Sequence, residues 1–175
     1  MNKKLKLSLA AFVVLFFATL LLRIATCAVA KMLGVKLGAQ ESVQLIQGLQ
    51  GAKLAMTILS AVVLCPLVEE FLFRWLLFRL PSAKAGHAAA VAAIAAVSSA
   101  IFTFAHYINI PALFKSSAFA TSQLDNSFVA IFAFGLAQCW LYRRTKAIWC
   151  PMLTHALSNA TTIVLVLAIA ARAKS

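Results

Sequence analysis

Residues 65–74 read CPLVEEFLFR, and Glu69 and Glu70 are two of only four acidic residues in the 175-residue chain. A carboxylate near the middle of a bilayer costs roughly 3 kcal/mol or more, so such groups face a protein interior or a wet cavity. Residues four apart share a helical face, while neighbours lie about 100° apart. Glu70 can therefore pair with Arg74 in its own helix. Glu69 has only Phe73 at the matching position and must meet water or a polar group on another helix. The candidates are His106 in FTFAH, and His155 with Asn159 in HALSN, which share a face at i and i+4. A carboxylate in a low-dielectric pocket holds its proton more tightly than in water, which suits a general base acting on a water molecule. A nearby histidine can share that water or protonate a leaving amine, and a second histidine with an asparagine can donate to a developing oxyanion. That set suffices for amide hydrolysis without a covalent intermediate. It does so without a GxSxG, HExxH or Gly-rich phosphate-loop motif, none of which the chain contains.

These groups need elements to carry them, and the composition says what kind. Hydrophobic residues make up 63% of the chain and charged residues 11%, with a mean hydropathy of +0.96. That is a lipid-embedded composition. The net charge of +12 is not the signature of a nucleic-acid binder, because Lys and Arg fall between apolar segments rather than along one face. The four cysteines, Cys27, Cys65, Cys139 and Cys150, have no CxxC spacing and read as buried free thiols.

About twenty apolar residues span a hydrocarbon core of about 30 Å, and about five segments qualify. The first covers about Leu7 to Ala30 behind MNKKLK; it also resembles a signal peptide with AVA as a cleavage site, although the apolar stretch resumes after Arg23. Residues 31–53 read as a loop with a short interfacial helix. The second span, about Leu54 to Leu80, carries the glutamate pair. The third lies between Ala88 and Ile110, followed by a loop over PALFKSSAFATSQLDNS. The fourth and fifth, about Phe128 to Tyr142 and Ala147 to Ala171, are joined by the basic turn RRTK. The expected fold is all-α: a polytopic bundle of about five transmembrane helices around a central polar cavity. Residues 1–53 supply the first helix and an interfacial loop, and 54–175 a four-helix catalytic core.

At about 1.5 Å per residue, Glu69 and His155 lie at similar depths, ~15 and ~12 Å from Arg79 and Lys146. His106 matches that depth only if residues 82 to about 93 stay outside the hydrocarbon and the third helix runs on past His106 to Pro111. Pro66 and Pro151 are expected to bend their helices and open carbonyls toward the cavity. Phe71, Phe73 and Phe102 are expected to line the site, Arg23 to snorkel, and Gln138 to hydrogen-bond between helices. The aromatic residues Trp75, Trp140, Tyr142 and Trp149 read as interfacial anchors.

With the amino terminus inside, Lys3, Lys4, Lys6, Arg79, Lys84, Arg143, Arg144 and Lys146 lie on the inner side. Lys31, Lys36, Lys53, Lys115, Arg172 and Lys174 lie outside. The cavity is expected to open on the side bearing Arg79 and RRTK.

Glu69-Glu70-x-x-x-Arg74, Phe102-x-x-x-His106 and His155-x-x-x-Asn159 resemble the EExxxR, FxxxH and HxxxN motifs of the CAAX-protease and bacteriocin-processing (CPBP) family, which includes the type II CAAX prenyl endopeptidases. The three are complete and in order, and the resemblance covers about residues 54–165. It implies a glutamate-dependent intramembrane endopeptidase that needs no cofactor or metal. Glu69 and His106 would activate water, His155 and Asn159 would stabilise the oxyanion, and Glu70 with Arg74 would orient the site. The chain is short for the family, with one span ahead of the motif core where larger members have several. The implied substrate is a membrane-anchored peptide or protein cut near its anchor: a sorting tail, a leader or a lipid-modified carboxyl terminus. Small size and a lysine-rich start suggest a multi-pass protein of a prokaryotic inner membrane, with the lipid bilayer and its substrate as partners, no nucleic acid, and an oligomeric state the sequence does not fix. Two other readings stay open: a zinc-dependent membrane protease using Glu69, His106 and His155 as ligands, and a non-enzymatic immunity or scaffold protein of the same fold.

Overall fold

The structure is a computed structural model and describes residues 2–37, 46, 49–79, 87–107 and 126–172. Among these residues it is all-helical, with five helices. Helix α1, Lys3–Met32, begins where the Asn2 side chain accepts the Lys4 N–H at 3.0 Å. It runs through Arg23 without a break and ends at Gly34, whose φ of +68° suits glycine. There the Val35 N–H reaches the Ala30 carbonyl and the Gly34 N–H reaches Lys31, so the last carbonyls are satisfied by a Schellman turn.

Helix α2 runs from Gly51 to Arg79 and changes register along the way. It is α-helical over Gly51–Leu59, π-helical over Ser60–Leu64, α-helical over Cys65–Glu70, π-helical over Phe71–Leu76 and 3-10 over Leu77–Arg79. The first π segment is where Pro66 removes a backbone donor, as its position predicts. Pro151 does not act this way. It sits in the first turn of α5, Trp149–Arg172, where the missing N–H has no intrahelical partner to lose, so the expected bend does not arise.

Helix α3 covers Ala88–Ala105 and is capped by His106. The expected run of the helix past His106 does not occur, since His106 and Tyr107 already form a turn through N–H bonds to the Thr103 and Phe104 carbonyls, and the stretch from there to Pro111 lies outside the described residues. Helix α4, Phe128–Thr145, closes on Lys146 in the left-handed region at φ 51°, and the tight basic turn then leads into α5. Residues 38–45, 80–86 and 108–125, with most of the two expected surface loops, lie outside the described residues.

Four helices, α1, α2, α3 and α5, are long and apolar enough to cross a membrane. Helix α4 is 18 residues long and falls short in hydropathy because Gln138 and the Arg143-Arg144 last turn lie within it. The bundle is inverted relative to a water-soluble core. Val14, Phe17, Leu21, Val97, Phe104 and Val164 are exposed, while Glu70, Arg74, Ser98, Ser99, Gln138 and Thr154 are fully buried. This is the arrangement expected when lipid is the solvent and polar groups must be satisfied inside the protein.

Helix α1 packs on α4 and α5, and α3 on α4. Thr154 Oγ1 donates to the Ser8 carbonyl, and Asn126 Nδ2 to Cys27 Sγ, so α1 runs antiparallel to α4. Lys3, Lys4, Lys6, Arg143, Arg144 and Lys146 are thereby gathered at one end, as the charge distribution predicts. Ser99 and Gly135 set the closest approach of α3 and α4: a Cβ on Gly135 would lie 3.0 Å from both Ser99 Cβ and Oγ.

Candidate active site

The glutamates leave α2 on different faces, as their spacing requires. Glu70 is fully buried, and its Oε2 lies 3.2 Å from Arg74 Nε, also fully buried. The two ions touch without the alignment of a hydrogen bond. Arg74 is further held by donation from Nη2 to the Gly135 carbonyl at 3.3 Å and by the Phe102 ring, 4.5 Å from Cζ. The second carboxylate oxygen of Glu70 accepts from His155 Nδ1 at 2.8 Å. A carboxylate accepts only, so the Nδ1 proton is fixed on that side and Nε2 points the other way.

His155 Nε2 faces Glu69, with 3.6 Å to Oε2. Glu69 retains 28% side-chain exposure, enough to meet water. His155 thus stands between the two carboxylates, clamped by the edges of Phe102 and Phe134 at ring separations of 5.8 and 5.1 Å.

His106 is oriented the same way by a different acceptor. Its Nδ1 lies 2.8 Å from the Phe102 carbonyl one turn back, so Nδ1 carries the proton and Nε2 is left as the free acceptor in the neutral ring. The premature end of α3 at His106 frees the ring to lean back over Phe102, with ring centroids 4.6 Å apart.

Glu69, His106, His155 and Asn159 line one cavity of about 330 Å³. Its other walls include Ala61, Cys65, Phe102, Phe134 and, from α1, Thr19 and Arg23. The structure therefore brings together the four residues singled out as catalytic, with Glu70 and Arg74 immediately behind them. Asn159 is placed differently from expectation: its Nδ2 donates to the Ala61 carbonyl at 2.7 Å, so one of its two N–H groups is engaged by α2. The predicted sharing of a site by Glu69 and His106 holds at the level of the cavity, but the residue Glu69 faces directly is His155.

Three expectations change. From Glu69 and His155, the cavity lining extends along α2 toward Ala61 and along α5 toward Val166, away from Arg79 and the basic turn. Glu70, Arg74, Gln138 and Leu141 are fully buried and are not among its lining residues. Of the three phenylalanines expected to line the site only Phe102 does; Phe71 is exposed and stacks on Trp75 at 4.6 Å, and Phe73 packs edge to face behind Phe102. Gln138 is fully buried, but the expected interhelical hydrogen bond does not form among the described residues. Sequence reasoning had also given no role to Ser98, Gly135 or Phe134; the Ser-Ser pair in an alanine-rich segment and the lone glycine of the fourth span were the available signals.

Among the described residues, no group of three or more His, Cys, Asp or Glu side chains is arranged to hold a metal ion. A family model described as type II CAAX prenyl endopeptidase Rce1-like matches residues 51–161, which runs from the start of α2 through Asn159. No curated protein and no solved structure matches.

Proposed function

The chain belongs to the Rce1-like type II CAAX prenyl endopeptidase family, a protease family, and from that premise we propose that it is an integral-membrane endopeptidase that hydrolyses a peptide bond close to a membrane anchor by glutamate- and histidine-activated water. The observation that carries this reading is the convergence of Glu69, His106, His155 and Asn159, from α2, the end of α3 and α5, on one cavity.

Water held between Glu69 and the Nε2 of His106 loses a proton to the carboxylate as its oxygen attacks the scissile carbonyl. The tetrahedral oxyanion is met by the remaining N–H of Asn159 and, in its imidazolium form, by Nε2–H of His155, whose ring Glu70 holds in place at 2.8 Å. Collapse breaks the C–N bond, and the proton taken from water passes to the departing amine. Preorganised donors of this kind are each worth about 10²–10³ in rate. Glu70 and Arg74 touch no substrate atom and act as positioning residues.

The substrate is a membrane-anchored peptide, because lipid-facing helices surround the cavity and a soluble peptide would have no route along them. The test uses purified protein in proteoliposomes with two reporters, a prenylated carboxyl-terminal peptide and a transmembrane leader peptide, each with and without a zinc chelator. Cleavage of one reporter that is insensitive to the chelator and lost in a folded Glu69→Gln variant is expected. A fully active Glu69→Gln protein would sink the mechanism, and chelator-sensitive cleavage would replace it with the zinc reading.

A further inference from the structure

The two π segments of α2 sit immediately before and after Cys65–Glu70, the turn that carries both glutamates. The first leaves a backbone carbonyl without a donor in its own helix. The Cys65 N–H, which in α register would serve Ala61, donates to Ser60 instead. In π register the partner of Ala61 is residue 66, a proline with no N–H. Helix α2 therefore has no donor of its own for the Ala61 carbonyl, and Asn159 Nδ2 takes it at 2.7 Å from α5. At the other end, the Leu77 N–H, the α-register partner of Phe73, makes an i→i−3 bond to Arg74 where the 3-10 turn begins. Ser98 Oγ, fully buried on α3, donates to Phe73 at 2.7 Å.

We propose that Asn159 and Ser98 are positioning residues that fix the rotation of the Glu69–Glu70 turn by gripping backbone carbonyls of α2 on either side of it, Ala61 and Phe73. The proposal deepens the protease reading and gives Asn159 a second task beside any contact with the oxyanion. The geometry explains why rotation needs fixing. One inserted residue turns everything downstream by about 100°. If the first π segment relaxed to a plain α-helix, Glu69 would move to the angular place of Glu70, facing His155 Nδ1 and Arg74. Val68 would then take the place of Glu69 in the cavity, and the base would be gone while the fold persisted. In the α register Cys65 would serve Ala61 but Pro66 would leave the Val62 carbonyl without a donor, so the register that is favoured is the one whose orphan finds a partner from outside the helix. Asn159 supplies that partner to Ala61 in the π register, and Ser98 holds the far end of the turn from α3.

Pro66→Ala supplies the test, because it returns an N–H that can reach the Ala61 carbonyl from within α2. Amide hydrogen exchange over residues 60–72 is measured by mass spectrometry on purified, detergent-solubilised protein for wild type, Asn159→Ala, Pro66→Ala and the double variant. Reporter hydrolysis is followed in parallel. Asn159→Ala should speed exchange about tenfold, the scale of one buried hydrogen bond, and lower kcat with little change in KM. In the Pro66→Ala background the same substitution should change exchange less than about threefold, since the carbonyl is already served. Ser98→Ala should speed exchange over 73–79 and leave 60–64 unchanged. If Asn159→Ala does not fold, Asn159→Asp keeps the shape, loses the donor and carries the same comparison. Unchanged exchange in the Asn159 variant, or an equal effect in both backgrounds, overturns the proposal and leaves Asn159 as an oxyanion donor alone. The exchange comparison does not depend on catalysis, so it stands even if neither reporter is cleaved.

Discussion

Removing Glu70 should damage this protein more than removing the more exposed Glu69. Glu70 and Arg74 are both fully buried and 3.2 Å apart, and Glu70 also accepts from His155 at 2.8 Å. In Glu70→Ala, Arg74 keeps the Gly135 carbonyl at 3.3 Å and the Phe102 face, but no counter-ion. Leaving a buried charge unpaired costs about 3–5 kcal/mol, and the lost charge-assisted bond to His155 adds about 1.5–3 kcal/mol. Because the two share one carboxylate they do not add fully, and a total of roughly 4–6 kcal/mol is expected. Arg74→Ala alone should cost about 3–5 kcal/mol by the same reasoning. The Glu70→Ala/Arg74→Ala double variant should fall well short of the sum, because it buries no orphan ion. Reversible unfolding in mixed SDS micelles measures all three, with Glu69→Gln as a control expected within about 1 kcal/mol of wild type. A Glu70→Ala protein losing less than about 1 kcal/mol, or single-variant costs that simply add, would refute the reasoning.

The remaining predictions test other parts of the structure. Gly135→Ala should destabilise by about 1–3 kcal/mol through overpacking, because its Cβ would meet Ser99 at 3.0 Å; Ser99→Gly should relieve most of that in the same unfolding assay. Nitrogen NMR of labelled histidine should find neutral His106 as the Nδ1–H tautomer, since Nδ1 faces the Phe102 carbonyl; an Nε2–H tautomer would remove its role as acceptor. In oriented vesicles of a Cys27→Ser variant, a membrane-impermeant thiol reagent should modify Cys65, which lines the cavity, and spare buried Cys139 and Cys150. Modification should come from the face opposite Arg79 and the basic turn, and labelling only from the basic face would contradict the cavity's direction.

The membrane character, the number of helices and the candidate residues that line the cavity were legible in the sequence because each rests on a local rule. Apolar stretches must be long enough to cover a bilayer, and buried polar residues in them must have a reason to be there. Spacing of four within one helix was enough to foresee the Glu70–Arg74 pair. Three motifs on separate segments were enough to expect one cavity. What spacing could not decide was which histidine meets Glu69, because that depends on how α5 packs against α2 and on where α3 stops. The third helix ends at His106 rather than running on through it, since the turn at His106 and Tyr107 is closed by bonds to Thr103 and Phe104. Composition there favoured neither outcome. The direction of the cavity was likewise set by packing: its lining runs from Glu69 and His155 toward Ala61 and Val166, and the fully buried Glu70, Arg74, Gln138 and Leu141 lie outside it, and charge counting carries no information about how a bundle packs. Sequence alone determined that two carboxylates, two histidines and an asparagine would be held in lipid; it contained Pro66 but could not say which side chain would answer it. Tertiary structure assigned the Ala61 carbonyl to Asn159, because a donor missing from one helix can be replaced only by whichever neighbour the fold brings within hydrogen-bond reach.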